Sequence, residues 1–285
     1  MASQDGRLLV AVVALVGATC SVATDELPHP GTCDPFEITG SSPAAEEVDV
    51  PVDAVGTFRF NDFPNPDSVG PGNMSLWTGV YYHTGTFLVS IVDRTVSFRP
   101  TSPLAPDRQY TLALQPSVRS LRGCQLQPPQ PNPDGRPQTS FFVPFRTAAI
   151  GSGAMLPTPV SPSATFTDLT ALFARRCSGS GCHLQPGANG LPDSPAENEC
   201  SEIPASHLSL CARDARRQLL GISALQVPRL ARVVPYDSAR SYLLRKLVGA
   251  PPVLGHEAVA VASQPGISTE ELRIIESWIH SGAPN

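Results

Sequence analysis

Cys177, Cys182 and His183 fall within seven residues, in the run Cys-Ser-Gly-Ser-Gly-Cys-His. Two sulfurs beside an imidazole offer three chemistries. The cysteines can pair as a local disulfide. They can share zinc with His183, Cys200 and Cys211. Or they can form two thioethers to a haem, with His183 as the proximal iron ligand. Haem attachment usually uses C-x-x-C-H, and C-x-x-x-x-C-H is a longer variant. Gly179 and Gly181 let the extra residues bulge, because glycine tolerates dihedrals that other residues avoid. Zinc is the weaker reading: adjacent Cys-His ligation is awkward, and an oxidising compartment disfavours thiolates.

Helical periodicity surrounds this run. Thr165 or Thr167 caps a helix carrying Phe166, Leu169, Leu172 and Phe173 on one face, ending just before Cys177. A second helix is expected from Tyr236 to Val248. The last is the clearest: Ser268 or Thr269 as cap, then Leu272, Ile275, Trp278 and Ile279, with Ser268-Thr-Glu-Glu271 offering a capping box. Gly282 and Pro284 should stop it.

The preceding half has a different period. Val48, Val50 and Val52 alternate, as do Gly56–Phe60, Phe87–Val92, Thr95–Phe98, Tyr110–Leu114 and Ser140–Thr147. Short alternating runs broken by turn residues predict an all-β sandwich. Trp77, Tyr81, Tyr82 and His83 are read as packing that sandwich and its edge, with an aromatic binding patch as the alternative. Residues 24–45, rich in Pro, Gly and Ser, read as a tether, and 148–164 as a linker.

The first 23 residues read as a signal peptide. Their apolar core, Leu8 to Val16, spans nine residues, against about 20 for a membrane-spanning helix. Small residues around Ala18 and Ala23 suit cleavage. Cys20 offers lipidation instead, although Thr19 sits where such sites usually carry Gly, Ala or Ser. Export implies an oxidising compartment for the seven cysteines. With Cys20 set aside, Cys33 and Cys124 could close the first half, and Cys200 and Cys211 a local loop. Six cysteines allow 15 pairings, so spacing alone leaves connectivity open.

Composition narrows the field. The chain has 285 residues, a net charge of −5, 31 Pro and 22 Gly. An acidic chain with no basic run lacks the electrostatic footprint of a nucleic-acid binder. Charged residues are 16%, below the roughly 25% of an average domain. Hydrophobic residues at 41% suffice for real cores. No phosphate-binding glycine loop, G-x-S-x-G or H-E-x-x-H occurs. Asp214, Arg216 and Arg217 read as a solvated face.

Two resemblances follow. Residues 94–112, Arg-Thr-Val-Ser-Phe-Arg-Pro-Thr-Ser-Pro-Leu-Ala-Pro-Asp-Arg-Gln-Tyr-Thr-Leu, with Gly123 and Phe145-Arg-Thr147, resemble bacterial Ig-like domains. That resemblance implies a scaffold over 46–147. Residues 165–285 resemble cytochrome c-like domains of exported bacterial proteins. The resemblance rests on Phe173–His183, on Arg232-Val-Val-Pro-Tyr-Asp-Ser-Ala-Arg-Ser-Tyr-Leu-Leu-Arg-Lys246, and on Ile267 to Ala283 with its Trp278-Ile-His-Ser-Gly-Ala ending. It implies an all-α domain holding one haem c. Cys177 and Cys182 would be the thioethers and His183 the proximal ligand, with the first and last helices crossing near the haem.

One departure matters. Many such domains place a distal Met in G-x-x-M-P, and here the slot holds Ala258. The three methionines are Met1, Met74 and Met155, none of them in this region. His256 is the nearest strong ligand, so the expectation is His183/His256 coordination or an open face. His207 and His280 are read as surface residues. The functional expectation is an exported haem c protein, most simply an electron carrier rather than an enzyme, with an unidentified redox partner. It would sit in the periplasm or at the outer membrane or cell surface, with membrane association through Cys20 if lipidated. The rival is a surface structural or interaction protein whose helical half is disulfide-stapled and lacks haem.

Overall fold

A computed structural model describes residues 33–129, 138–150, 164–179, 182–185, 188, 200–252 and 266–285. Cys20, Met155 and His256 lie outside them, as do the segment read as a signal peptide and most of the one read as a linker.

Among the described residues, nine strands form two sheets. The first holds β1 (Ile38–Ser42), β3 (Gly56–Phe60), β7 (Thr95–Pro100) and β6 (Gly85–Ser90), in the order β1-β3-β7-β6. The second holds β2 (Glu47–Val50), β9 (Phe141–Thr147), β8 (Gln109–Leu114), β4 (Met74–Thr78) and β5 (Tyr81–Tyr82), in the order β2-β9-β8-β4-β5. All pairings are antiparallel except β2 with β9. Alternation decides which side chains face in. Phe58 and Phe60 of β3 are buried while Arg59 between them is exposed. Leu76, Leu112 and Leu114 meet them from the opposite sheet side of the core. Gly56 lets Leu112 pack close: a Cβ there would stand 2.7 Å from Leu112 Cδ1, and that side chain would have to shift.

The sandwich begins earlier than its alternation suggests. β1 lies inside the segment read as a tether, because Ile38-Thr-Gly-Ser-Ser carries one apolar residue and is held by its ladder to β3. Cys33 and Cys124 are disulfide-bonded across 91 residues and tie that entry down.

The C-terminal region is partly helical, where an all-α domain was expected. It contains α1 (Phe166–Arg176), α2 (Ala215–Leu219), α3 (Tyr242–Val248) and α4 (Thr269–His280), joined by turns and isolated bridges. Capping boxes start both long helices. Thr165 Oγ1 accepts from the Asp168 N–H, and the Asp168 carboxylate accepts from the Thr165 N–H. Ser268 and Glu271 do the same for α4. The helix expected from Tyr236 begins only at Tyr242. Tyr236 has a φ of +67°, and Ser241 Oγ turns back to the Val234 N–H and the Asp237 carbonyl, which fixes a turn there. No helix among the described residues is long and apolar enough to cross a membrane.

The two regions share a continuous hydrophobic core. α4 lies against the sandwich, and Arg273 pairs with Asp93 at 2.7 Å. Arg240 pairs with Asp67 from the turn before α3.

Candidate functional site

α1 delivers Cys177 at its C-cap, where the Cys177 N–H donates to the Phe173 carbonyl. The chain then folds back on itself. The Cys182 N–H donates to Gly179 O at 3.0 Å, and the His183 N–H to Cys177 O at 3.1 Å. Gly179 has a φ of +146° and sits over Cys182, whose Sγ would be 3.1 Å from a Cβ at that position. A glycine is therefore needed for the loop to close. This brings Cys177 and His183 together at the end of α1, beside the buried Cys182.

Cys177 is a free thiol, and burial pushes its pKa up to about 12. At that pKa the sulfur is protonated, and it forms no local disulfide with Cys182. Cys182 is disulfide-bonded, and its partner is not Cys177. Cys200 and Cys211 are bonded to each other. Their sulfurs lie near the Asp214 carboxylate in a cluster that could otherwise hold a metal, but sulfurs committed to a disulfide are not thiolate ligands. The zinc set is thus dispersed. The same disulfide closes the local loop between Cys200 and Cys211, one of the pairings that the sequence left open.

His183 is positioned by a contact that spacing does not reveal. Its Nδ1 lies 2.8 Å from the Leu208 carbonyl, 25 residues on. A backbone carbonyl only accepts, so Nδ1 carries the proton and the imidazole is oriented. Burial lowers the His183 pKa. The Leu208 and Ala205 carbonyls oppose that shift, while the positive charges of Lys246 and Arg232 add to it. The ring is thereby held neutral, which is the metal-binding form.

The hydrophobic wall behind this loop comes from α1 and α4. Leu169, Leu172 and Phe173 are buried with Ile275, Trp278 and Ile279. Phe166 meets Trp278 with ring centroids 6.1 Å apart, and Trp278 Nε1 donates to Pro284 O. Arg176 binds the Glu271 carboxylate across the same pair of helices.

The other histidines divide. His207 is exposed, as expected. His280 is not a simple surface residue: its Nε2 meets the Ser238 hydroxyl at 2.7 Å, and burial lowers its pKa against a raising effect of Asp237. Ser238 also donates to Glu276, which is 5% exposed. A glutamate four residues after Leu272, on the apolar stripe of α4, was the sequence signal for this cluster. Trp77 packs edge-on to Phe142 and the His83 ring lies tilted against Tyr110, whereas Tyr81 and Tyr82 project into solvent from the edge strand β5.

Comparison with known proteins identifies the first region. Residues 33–143 match the bacterial Ig-like domain family. No match to a curated protein is found. Among solved structures, the S-layer protein rSbsC(31-844) is similar at 14% identity and a TM-score of 0.29, over 47% of this chain and 15% of that one. This chain therefore spans a small part of that protein's length. CopC from Methylosinus trichosporium OB3b is similar at 13% identity and a TM-score of 0.30, over 41% of this chain and 97% of that one. PcoC, a methionine-rich copper resistance protein from Escherichia coli, gives 13% identity and a TM-score of 0.28, over 40% and 99%.

Proposed function

We propose that this chain is an exported protein whose C-terminal region holds one covalently attached haem c for electron transfer, with the Ig-like domain as its scaffold. The observation that carries the reading is the Nδ1–Leu208 bond of His183. Histidine ligands typically donate their second ring N–H to a carbonyl or carboxylate, which fixes the tautomer and leaves the other nitrogen to bind metal. The donor set fits the group in type: two cysteines within one loop and a neutral, oriented imidazole next in the chain. Cys177 and Cys182 would supply the thioethers and His183 the proximal bond. His256 would hold the other face or leave it open. Bound haem supplies one-electron chemistry. The protein's part is to exclude water with Phe173 and Trp278 and to orient His183. Lys246 and Arg232 bring positive charge toward the same imidazole, a suitable setting for an acidic prosthetic group. Export is supported by the N-terminal signal-like segment, by the Ig-like match and by two disulfides.

A second reading has its own observation. Cys182 is disulfide-bonded, so thioether formation must capture it as a thiol first. If it does not, the helical region is a disulfide-stapled unit without haem, and the protein serves as a surface or interaction module. Expression of the full chain in a bacterium with an active haem c maturation system separates the two. The haem reading expects coloured protein that keeps its colour and added mass after denaturation. It expects complete loss of covalent haem in Cys177→Ala/Cys182→Ala, and far greater loss in His183→Ala than in His280→Ala. Colourless wild-type protein of apoprotein mass overturns it in favour of the second.

A further inference from the structure

Glu276 lies on α4 where that helix meets the sandwich. Its Oε2 accepts from Ser90 Oγ of β6 at 2.7 Å, across 186 residues of sequence. Its Oε1 accepts from Ser238 Oγ at 3.1 Å. Ser238 is itself fully buried, and its hydroxyl also contacts His280 Nε2 and the Val89 carbonyl. One carboxyl group therefore joins β6, the turn before α3, and α4.

The neighbouring charges are committed elsewhere. From α4, Arg273 binds Asp93 and Glu270. From the turn before α3, Arg240 binds Asp67 and Asp237. Arg245 of α3 donates to the carbonyls of Ala239 and Pro252. Among the described residues, the groups facing Glu276 are thus the Ser90 and Ser238 hydroxyls, the Val92 backbone, His280 and the Asp93 carboxylate, and no Lys or Arg forms an ion pair with it. Beside the network opens a cleft of about 220 Å³, lined by Phe87, Val89, Tyr236, Ser238, Arg240 and His280. It offers water a short route to the network.

We propose that Glu276 is a protonation-controlled latch between the Ig-like domain and the helical region: neutral, it holds them docked through Ser90 and Ser238, and ionised, it loosens them. A buried carboxylate without a cation is costly, and the cost is relieved when the two regions part and water enters. The direction of its pKa agrees. Burial raises it, the bonds from Ser90, Ser238 and the Val92 backbone resist, and Asp93 adds to the rise. A raised carboxyl pKa means that docking is strongest while the group is protonated. That strength is lost as pH climbs from the ordinary value of 4.5 through the raised one. His280 acts in the opposite sense, since burial lowers its pKa and docking weakens as pH falls below 6.5. That contribution is shared by wild type and Glu276 variants, so their difference isolates the latch.

Hydrogen exchange of the full chain, read on peptides covering β6 and α4 from pH 5 to 9 and corrected for intrinsic rates, tests this. Glu276→Gln keeps the shape and removes the charge. Its protection should match wild type near pH 5 and exceed it at least tenfold near pH 9. Parallel profiles, or better protection of the wild type at high pH, overturn the proposal. Ser90→Ala gives an independent arm. It removes a donor to the ionised form, so the loss of protection between pH 5 and 9 should grow. An unchanged loss overturns the latch even if Glu276→Gln does not fold.

Discussion

The Ig-like domain buries Phe58, Phe60, Leu112 and Leu114 by alternation along paired strands, so each inward residue is set by its neighbour's register. The helical region buries Leu172, Phe173, Ile275 and Trp278 where two helices pack together. Its other described residues are largely turns held by backbone and side-chain bonds. A register is cooperative along the strand, whereas a turn-rich chain depends on individual anchors. Each region is therefore vulnerable at a different place. The sandwich should tolerate loss of a single polar contact, and the helical region should fail at its anchors.

The sharpest way to break that comparison uses the covalent ties. Cys33–Cys124 closes 91 residues and Cys200–Cys211 only 11. Chain-entropy arithmetic assigns them about 4.5 and about 3 kcal/mol. Replacing each pair by alanine and measuring denaturant midpoints should show the larger loss for the sandwich pair. A larger loss for the short loop means that it anchors native structure beyond its entropy. Next in size is Trp278→Ala. It removes a fully buried ring and the Nε1 bond to Pro284, and should cost about 3–5 kcal/mol. Near-ultraviolet circular dichroism should show the helical region melting ahead of the sandwich. A single coincident transition would mean that the shared core makes the regions one cooperative unit.

The smallest effects come from the caps. Thr165→Ala and Ser268→Ala should each cost about 1 kcal/mol by thermal denaturation. Their pH dependence has a defined sign. The bonds from Thr165 hold the Asp168 carboxyl below its ordinary value, and Arg176 and then the Ser268 backbone do so for Glu271. Depressed carboxyl pKa values stabilise the folded state above the ordinary carboxylate range, and that stability is lost as pH falls through them. Asp168→Asn and Glu271→Gln should therefore flatten the acid limb of stability, opposite to the alkaline limb that Glu276 produces.

Local interactions explain why much of this was legible. The runs Gly56–Phe60, Thr95–Phe98 and Tyr110–Leu114 alternate strongly enough to mark β3, β7 and β8. β1 and β4 escaped, since Ile38-Thr-Gly-Ser-Ser and Met74-Ser-Leu-Trp-Thr lean on partners far along the chain. The capping box of α4 is contained within four residues and is legible at once, whereas for α1 the sequence offers Thr165 or Thr167 as cap and the structure settles on Thr165, boxed with Asp168. The start of α3 was not legible, because a left-handed Tyr236 is stabilised by its surroundings rather than by its own preference.

The amino-acid sequence by itself determined the alternating strands, the two capped helices and the grouping of Cys177, Cys182 and His183. Each of these is fixed by residues a few positions apart, where backbone geometry dictates what can meet. Only the tertiary structure decided that His183 is aimed by the Leu208 carbonyl, that Cys177 stays a free thiol, and that Glu276 reaches Ser90 across the domain junction. Those contacts join groups 25 to 186 residues apart or depend on burial. Neither spacing nor composition encodes burial; it exists only once the two regions have packed.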